Sequence, residues 1–525
     1  MRPAVVHQAL AGAVAVVELG EPVVTRWPAR LPVRPGQTGL RADVLLGWLV
    51  AAHVVMKVLI YPLVLNAEPF GDEAAYLDGG MAMSNLLRDV VAFTAPDTTE
   101  LELNVVGSAW FMPGMPVLLA PLYLLFPDAP IWLVRGYLGL VTLMLFLAVV
   151  RSVRRRLGAR WACVVVVLPG LVPSWVVFTY GAWGDLCAGL VLVLLLLRLV
   201  DLVRGLRAGE APSLRAGLVL GLQAIAVLYL RSSTSALLAG LGAATLVAAS
   251  VMLRGRVRWR GLAAAALAGA TFAALLAPWS IFASRTLDAR VLTTTTVPTV
   301  LANTFGDPDE LCFGRCDPGS TMWFAPLRYA REVGRATDTS EVEVLQVMSD
   351  HAMRDVGPER YFDGVAHNLA AYTLQPTNFN GYLAPPEGRG LVGTVGQLVA
   401  DVLTWVLYVP LMLIGLVSLL FHARRSVEAR ILDIVTKLAI GGLLLQLFVH
   451  LAGGRYWATA AIPLGIAAVS FLRERQLAGS DGPPPPPDDV GPSDEVLVRW
   501  LGRVQGLLRA ATTGVVVVLA VAVVL

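Results

Sequence analysis

Apolar runs of 16 to 28 residues, most closed by arginine or proline, follow one another along this 525-residue chain. A helix needs about 20 such residues to cross a bilayer. Runs of this length predict spans at 44–65, 131–150, 161–179, 184–200, 215–231, 233–253, 261–283, 393–420, 431–451, 457–473 and 507–525. The expected fold is therefore an all-α polytopic membrane protein, a bundle of about eleven transmembrane helices. The 215–253 stretch is the least regular, because Arg231 interrupts it. The run from Phe111 to Phe126 is short and carries Pro113, Pro116 and Pro121. It reads as an interfacial or re-entrant helix, since proline breaks a helix interior.

Arginine placement decides this last point. Counted as a span, 111–126 would put Arg151, Arg154, Arg155, Arg156 and Arg160 outside, against the positive-inside rule. Left uncounted, the cluster falls in the cytoplasm, as do Arg204, Arg207 and Arg215. Arg254 to Arg260, Arg424, Arg425, Arg430, Arg473 and Arg475 fall there too. The expected layout starts with a cytoplasmic segment, 1–43, and a transmembrane core, 44–283, whose first external loop is 66–130. It continues with an external, mostly helical segment, 284–392, and further core helices, 393–473. A cytoplasmic linker, 474–506, and a terminal helix, 507–525, complete it. Pro483 to Pro487 favour extended polyproline II in the linker. Residues 4–18 are apolar but lack a basic leader, so the first span is expected to act as its own insertion signal.

Composition agrees. Hydrophobic residues make up 56% and charged residues 15%, with a mean hydropathy of +0.67. Soluble domains run nearer a quarter charged. Lys57 and Lys437 are the sole lysines among 41 basic residues. That arginine bias suggests a GC-rich, bacterial source and hence a bacterial plasma membrane. No Walker or dinucleotide motif is present, no internal repeat is evident, and nothing points to nucleic acid.

Candidate chemistry gathers in the external segments, which are too long to be mere connectors. Gly71-Asp72-Glu73-Ala74-Ala75-Tyr76 places two carboxylates beyond the outer end of the first span. Either could serve as a general base; alternatively Asp72 caps a short helix and Glu73 occupies its first turn. Arg135, Arg231, Arg285 and Arg455 share the same expected membrane level. Converging guanidinium groups suit an anionic head group. The plain alternative for each is an interfacial anchor. Tyr76, Tyr456 and Asn378 are candidate substrate contacts. Cys312 and Cys316 are expected to form a small-loop disulfide in an oxidising compartment, with a metal half-site as the alternative. No His/Asp/Glu pattern has metal-ligand spacing, so a divalent metal is possible but not indicated.

From about 44 to 473 the order of these motifs resembles the GT-C superfamily of integral membrane glycosyltransferases. The branch that includes protein O-mannosyltransferases and aminoarabinose transferases is the nearest match. The motifs are the Asp72-Glu73 pair, the Met112-Pro113-Gly114-Met115-Pro116 helix and Arg135. Leu230-Arg231-Ser232-Ser233, Ala277-Pro278-Trp279 and Gly454-Arg455-Tyr456-Trp457 complete the set. The resemblance implies a catalytic carboxylate at Asp72, with Glu73 beside it. It implies donor-phosphate contacts from Arg135, Arg231, Arg285 and Arg455. The donor would be a polyprenyl-phosphate sugar presented among membrane lipids, and no cofactor would be required. The acceptor would be an extracytoplasmic glycan, lipid or protein. The Pro-Gly helix departs from the double proline of many relatives, and segment 284–392 matches no recognised sugar-binding module. Two other classes compete: a transporter or flippase of a lipid-linked glycan, and a non-catalytic glycan-binding protein.

Overall fold

The protein is described from a computed structural model. Its described residues are 37–208, 210–252, 255–316, 323–383, 390–423, 426–450, 454–479 and 499–514. Most of the N-terminal segment, the proline run and residues 515–525 lie outside them. All regular structure among the described residues is helical.

Six helices are long and apolar enough to cross a membrane, which is compatible with a multi-pass membrane protein. Five lie within α1 (Gln37–Val64), α4 (Ile131–Leu157), α7 (Gly184–Arg207), α10 (Gly255–Thr286) and α15 (Leu391–Leu420), and the sixth is α16 (Val427–Leu444) extended by a short turn to Phe448. Their outer faces carry uncovered apolar side chains, among them Trp48, Leu59, Leu398 and Leu413. Such stripes are costly in water and at home in lipid.

The count of six falls below the eleven runs expected, for identifiable reasons. The 161–179 run is two short helices, α5 (Ala159–Val167) and α6 (Pro173–Phe178). Pro169 cannot continue the first, and Pro173 opens the second, where its missing N–H costs nothing. The 215–231 run is a 17-residue helix, α8 (Leu214–Leu230), ended at Arg231, and the next run becomes α9 (Ser235–Met252). The 111–126 run shortens to α3 (Gly114–Leu125). Residues 457–473 begin α17 (Trp457–Gly479), which packs against α5, α7, α15 and α16. Trp457, Ala461, Ile462 and Val469 along it are fully buried, so this helix is the centre of the bundle. Residues 499–514 form a further helix, which starts before the expected boundary at 507 and docks through Leu501 and Gln505.

Between α10 and α15 four helices build a lobe: α11 (Thr296–Phe305), α12 (Ala325–Thr337), α13 (Glu341–Ala352) and α14 (Pro358–Leu374). Ser340 caps α13 by accepting the Val342 N–H, with Glu341 and Glu343 in the first turn. Ala302, Leu311, Ala330, Leu345 and Met348 form the lobe's own small core, and Cys312 and Cys316 are joined in a disulfide beside it.

The two ends of the bundle differ. At one end Arg154 meets Asp43 at 3.0 Å, Arg156 meets Asp201, and Arg204 meets Glu428 at 2.5 Å. These pairs tie the end of α4 to α1 and α7, and the end of α7 to the first turn of α16. Arginines there also suit the negative ends of the helix dipoles. The opposite end gathers the close of α1, the starts of α2 (Asp72–Ala92), α4 and α7, and the end of α8. The candidate site lies at this second end.

Candidate functional site

Gly71 turns the chain into α2. Its φ of 58° lies in the left-handed region, where a side chain is strained. The helix starts immediately, so Asp72 and Glu73 are its first two residues. Neither makes a side-chain cap for the helix, which revises the capping expectation for Asp72. Successive helical residues point about 100° apart, and that rotation sends the two carboxylates to different surroundings.

Glu73 points inward. Arg135 grips it with both ends of its guanidinium, Nη1 to Oε1 at 2.6 Å and Nη2 to Oε2 at 3.2 Å. Oε1 also accepts the Ala182 N–H at 2.6 Å. Oε2 accepts the Tyr382 hydroxyl at 2.7 Å and the Phe70 N–H at 3.3 Å. Arg135 donates further to the carbonyls of Ala67 and Tyr180. Both side chains are sealed, 0% and 1% exposed. Burial, followed by the Glu73 charge, pushes the Tyr382 hydroxyl pKa up, so it stays a donor. This knot joins the loop after α1, α4, the 180–182 turn and the 378–383 turn. It sets geometry, and both groups are already engaged.

Asp72 points outward into a cavity of about 410 Å³. Its Oδ2 accepts Arg455 Nη1 at 2.6 Å, while Oδ1 accepts no hydrogen bond among the described residues. The two side chains are 19% and 25% exposed. The cavity walls are aromatic: Phe70, Trp110, Trp183, Trp323, Phe324 and Phe379. The Arg455 guanidinium lies over Trp183 at 4.7 Å and over Tyr456 at 4.9 Å. Burial alone lowers its pKa, but the oxygens of Tyr456 and Asp72 outweigh that and hold it well above the ordinary arginine value. Asp72 and Arg455 are the charged residues on this wall among the described lining residues, and His450, Asn378 and Tyr456 add polar groups to it.

A second layer stands behind the first. Arg231, delivered by the end of α8, pairs with Asp185 in the first turn of α7 and covers the Tyr456 ring at 4.2 Å. Gly184 lets this happen, because any Cβ there would collide with the Leu230 carbonyl. Tyr76 packs on Phe111 at 5.0 Å, and burial, with the Asp72 charge adding, pushes its hydroxyl pKa up.

The four arginines of the sequence expectation therefore separate. Arg455 reaches the cavity and Arg231 backs it. Arg135 belongs to the sealed Glu73 knot and is not on the cavity wall. Arg285 is exposed on the last turn of α10 and is not on the cavity wall. Tyr456 and Asn378 line the cavity, whereas Tyr76 stands behind it. Trp183, Asp185, Tyr382 and His450 were not singled out from the sequence. Asp185 had a signal, a carboxylate opening an apolar run. Trp183 and Tyr382 join the site through contacts with residues far away in the chain, and His450 joins it through Tyr456, six residues on, and Trp323. Among the described residues no group of three or more His, Cys, Asp or Glu side chains is placed to hold a metal ion. The chain matches no known protein family and no curated protein.

Proposed function

We propose that this chain is a membrane glycosyltransferase of the GT-C kind, which moves a sugar from a polyprenyl-phosphate donor to an extracytoplasmic acceptor of the bacterial envelope. The observation that carries this reading is the Asp72–Arg455 pair on an aromatic cavity wall at the end of the bundle away from its clustered arginines. The finer topology belongs to the same proposal: about eleven spans, with 66–130 and 284–392 outside.

The chemistry follows from the groups. Asp72 takes the proton of an acceptor hydroxyl through its open oxygen. The acceptor oxygen bonds to the anomeric carbon as the bond from that carbon to the phosphate oxygen breaks. The electron pair leaves with the lipid phosphate, whose growing charge Arg455 stabilises. A single displacement inverts the anomeric centre. Tryptophan faces suit the apolar faces of a sugar ring, and a cavity of this size holds a small ligand. Arg135 and Glu73 hold the start of α2 in place, so they act through Asp72.

The flippase alternative draws on polar groups inside the bundle. Lys57 of α1 is 4% exposed and donates to the hydroxyls of Thr142, at 3.3 Å, and Thr179. A buried cation within a span is a functional candidate. Here it is held by two hydroxyls rather than opposite a carboxylate.

The test is complementation. A deletion strain is supplied with wild-type protein or with Asp72→Asn, and its envelope glycans are compared by mass spectrometry. The wild type is expected to restore a glycan that Asp72→Asn, present at equal level in the membrane, does not. Full restoration by Asp72→Asn would overturn the reading.

A further inference from the structure

Arg455 is not held by a helix. It sits in the turn before α17, and its direction depends on what its two terminal nitrogens find. Nη1 goes to Asp72; Nη2 goes to the Tyr456 hydroxyl at 3.0 Å. That hydroxyl also lies 3.1 Å from His450 Nε2.

Donor and acceptor rules fix the direction of this chain. A guanidinium can donate and cannot accept, and a hydroxyl has one proton to give. Tyr456 is 4% exposed, so water offers its proton little. With Arg455 donating to its oxygen, the Tyr456 proton is satisfied by His450 Nε2. The reverse arrangement, with Nε2–H donating, would set two donors on one oxygen and leave the hydroxyl proton without an acceptor among the described residues. Among the described residues neither arrangement satisfies the buried His450 Nδ1, so the reverse arrangement leaves two polar groups unmet where the first leaves one, and each unmet buried group is costly. The chain therefore runs from Arg455 to the Tyr456 hydroxyl to an unprotonated His450 Nε2.

We infer that His450 is a positioning residue: by accepting the Tyr456 hydroxyl proton it holds Arg455 aimed into the cavity, where an anionic lipid phosphate would meet it. The role toward a lipid phosphate rests on the function proposed above; the hydrogen-bond chain itself does not. His450 is in turn well seated. Its ring stands 5.5 Å from Trp323 and 5.4 Å from Tyr456. The backbone leading to it is held from α14, where Tyr361 donates to the Phe448 carbonyl at 2.7 Å and Asn368 to the Leu447 carbonyl at 2.9 Å. The charged groups nearby are Arg455 with Asp72 on the cavity side, and Arg231 with Asp185 behind the Tyr456 ring.

Two substitutions separate acceptor chemistry from bulk. His450→Gln can still offer an oxygen to Tyr456; His450→Phe keeps a ring against Trp323 but accepts nothing. Full-length proteins in nanodiscs would be titrated calorimetrically with dodecyl phosphate. His450→Phe is expected to weaken binding about tenfold and His450→Gln to recover it to within about threefold, the scale of one hydrogen bond. Equal binding by wild type and His450→Phe, or equal loss in both variants, overturns the role given to His450. A wild-type protein that binds no dodecyl phosphate overturns the lipid-phosphate reading and this role with it. A second measurement tests the chain alone. In 15N-histidine-labelled protein, with His450→Gln used for assignment, His450 is expected as the neutral tautomer protonated at Nδ1. Tyr456→Phe should change that signal. An Nε2-protonated ring, or no response to Tyr456→Phe, overturns the inference.

Discussion

Asp72 and Glu73 are neighbours in the chain, each with an arginine at 2.6 Å, yet they occupy opposite regimes. The Glu73–Arg135 pair is sealed and its remaining oxygen capacity is filled by Ala182, Tyr382 and Phe70. The Asp72–Arg455 pair borders a cavity and leaves an oxygen open. Ion pairing by itself therefore says little about function. What separates the two pairs is whether solvent can reach the charge: the Glu73 pair is sealed and the Asp72 pair is not.

The comparison breaks first at Glu73. Glu73→Gln keeps the shape but strands the buried Arg135 charge, and losing one partner of a buried pair costs about 3–5 kcal/mol. Thermal unfolding in detergent should show a large drop, with activity lost only as the fold is lost. A Glu73→Gln protein of normal stability and no activity would move the chemistry to Glu73 and undo the contrast. Arg455→Lys should leave the unfolding temperature unchanged while lowering sugar transfer about tenfold or more, because an ammonium cannot span Asp72 and a phosphate as a fork does. Gly71→Ala should destabilise by about 1–2 kcal/mol through its left-handed φ, seen as an earlier unfolding midpoint. Tyr382→Phe removes one donor from Glu73 and should cost about 1 kcal/mol, with transfer altered least of all.

Some of this was legible in the sequence. Six of the apolar runs became long apolar helices, because about 20 uninterrupted apolar residues leave few other folds. The 161–179 run is two short helices rather than one long one because of Pro169 and Pro173, whose effect on helix continuity was readable in principle. The burial of α17 had a weaker signal in its small residues from Ala458 to Ala461. The acid pair was visible, and the resemblance put the catalytic role on Asp72, but the physical basis for dividing the two was not visible. That division depends on Tyr382, which lies 309 residues away, and on the Ala182 backbone, 109 residues away. The arginines looked equivalent for the same reason. Their partners, Asp72, Glu73 and Asp185, are chosen by packing, and no local spacing encodes that choice. His450 offered no pattern at all, since its meaning arises only beside Tyr456 and Arg455.

The central claim is that Asp72, and not its neighbour, drives sugar transfer from a lipid phosphate. The direct measurement is release of polyprenyl phosphate from a polyprenyl-phosphate sugar in vesicles that carry purified wild-type or Asp72→Asn protein. The account predicts acceptor-dependent release by the wild type, a loss of about 10²–10⁴-fold in Asp72→Asn, and the same unfolding temperature for both. Equal release by the two proteins, or no release by a folded wild type with any envelope acceptor fraction, would contradict it.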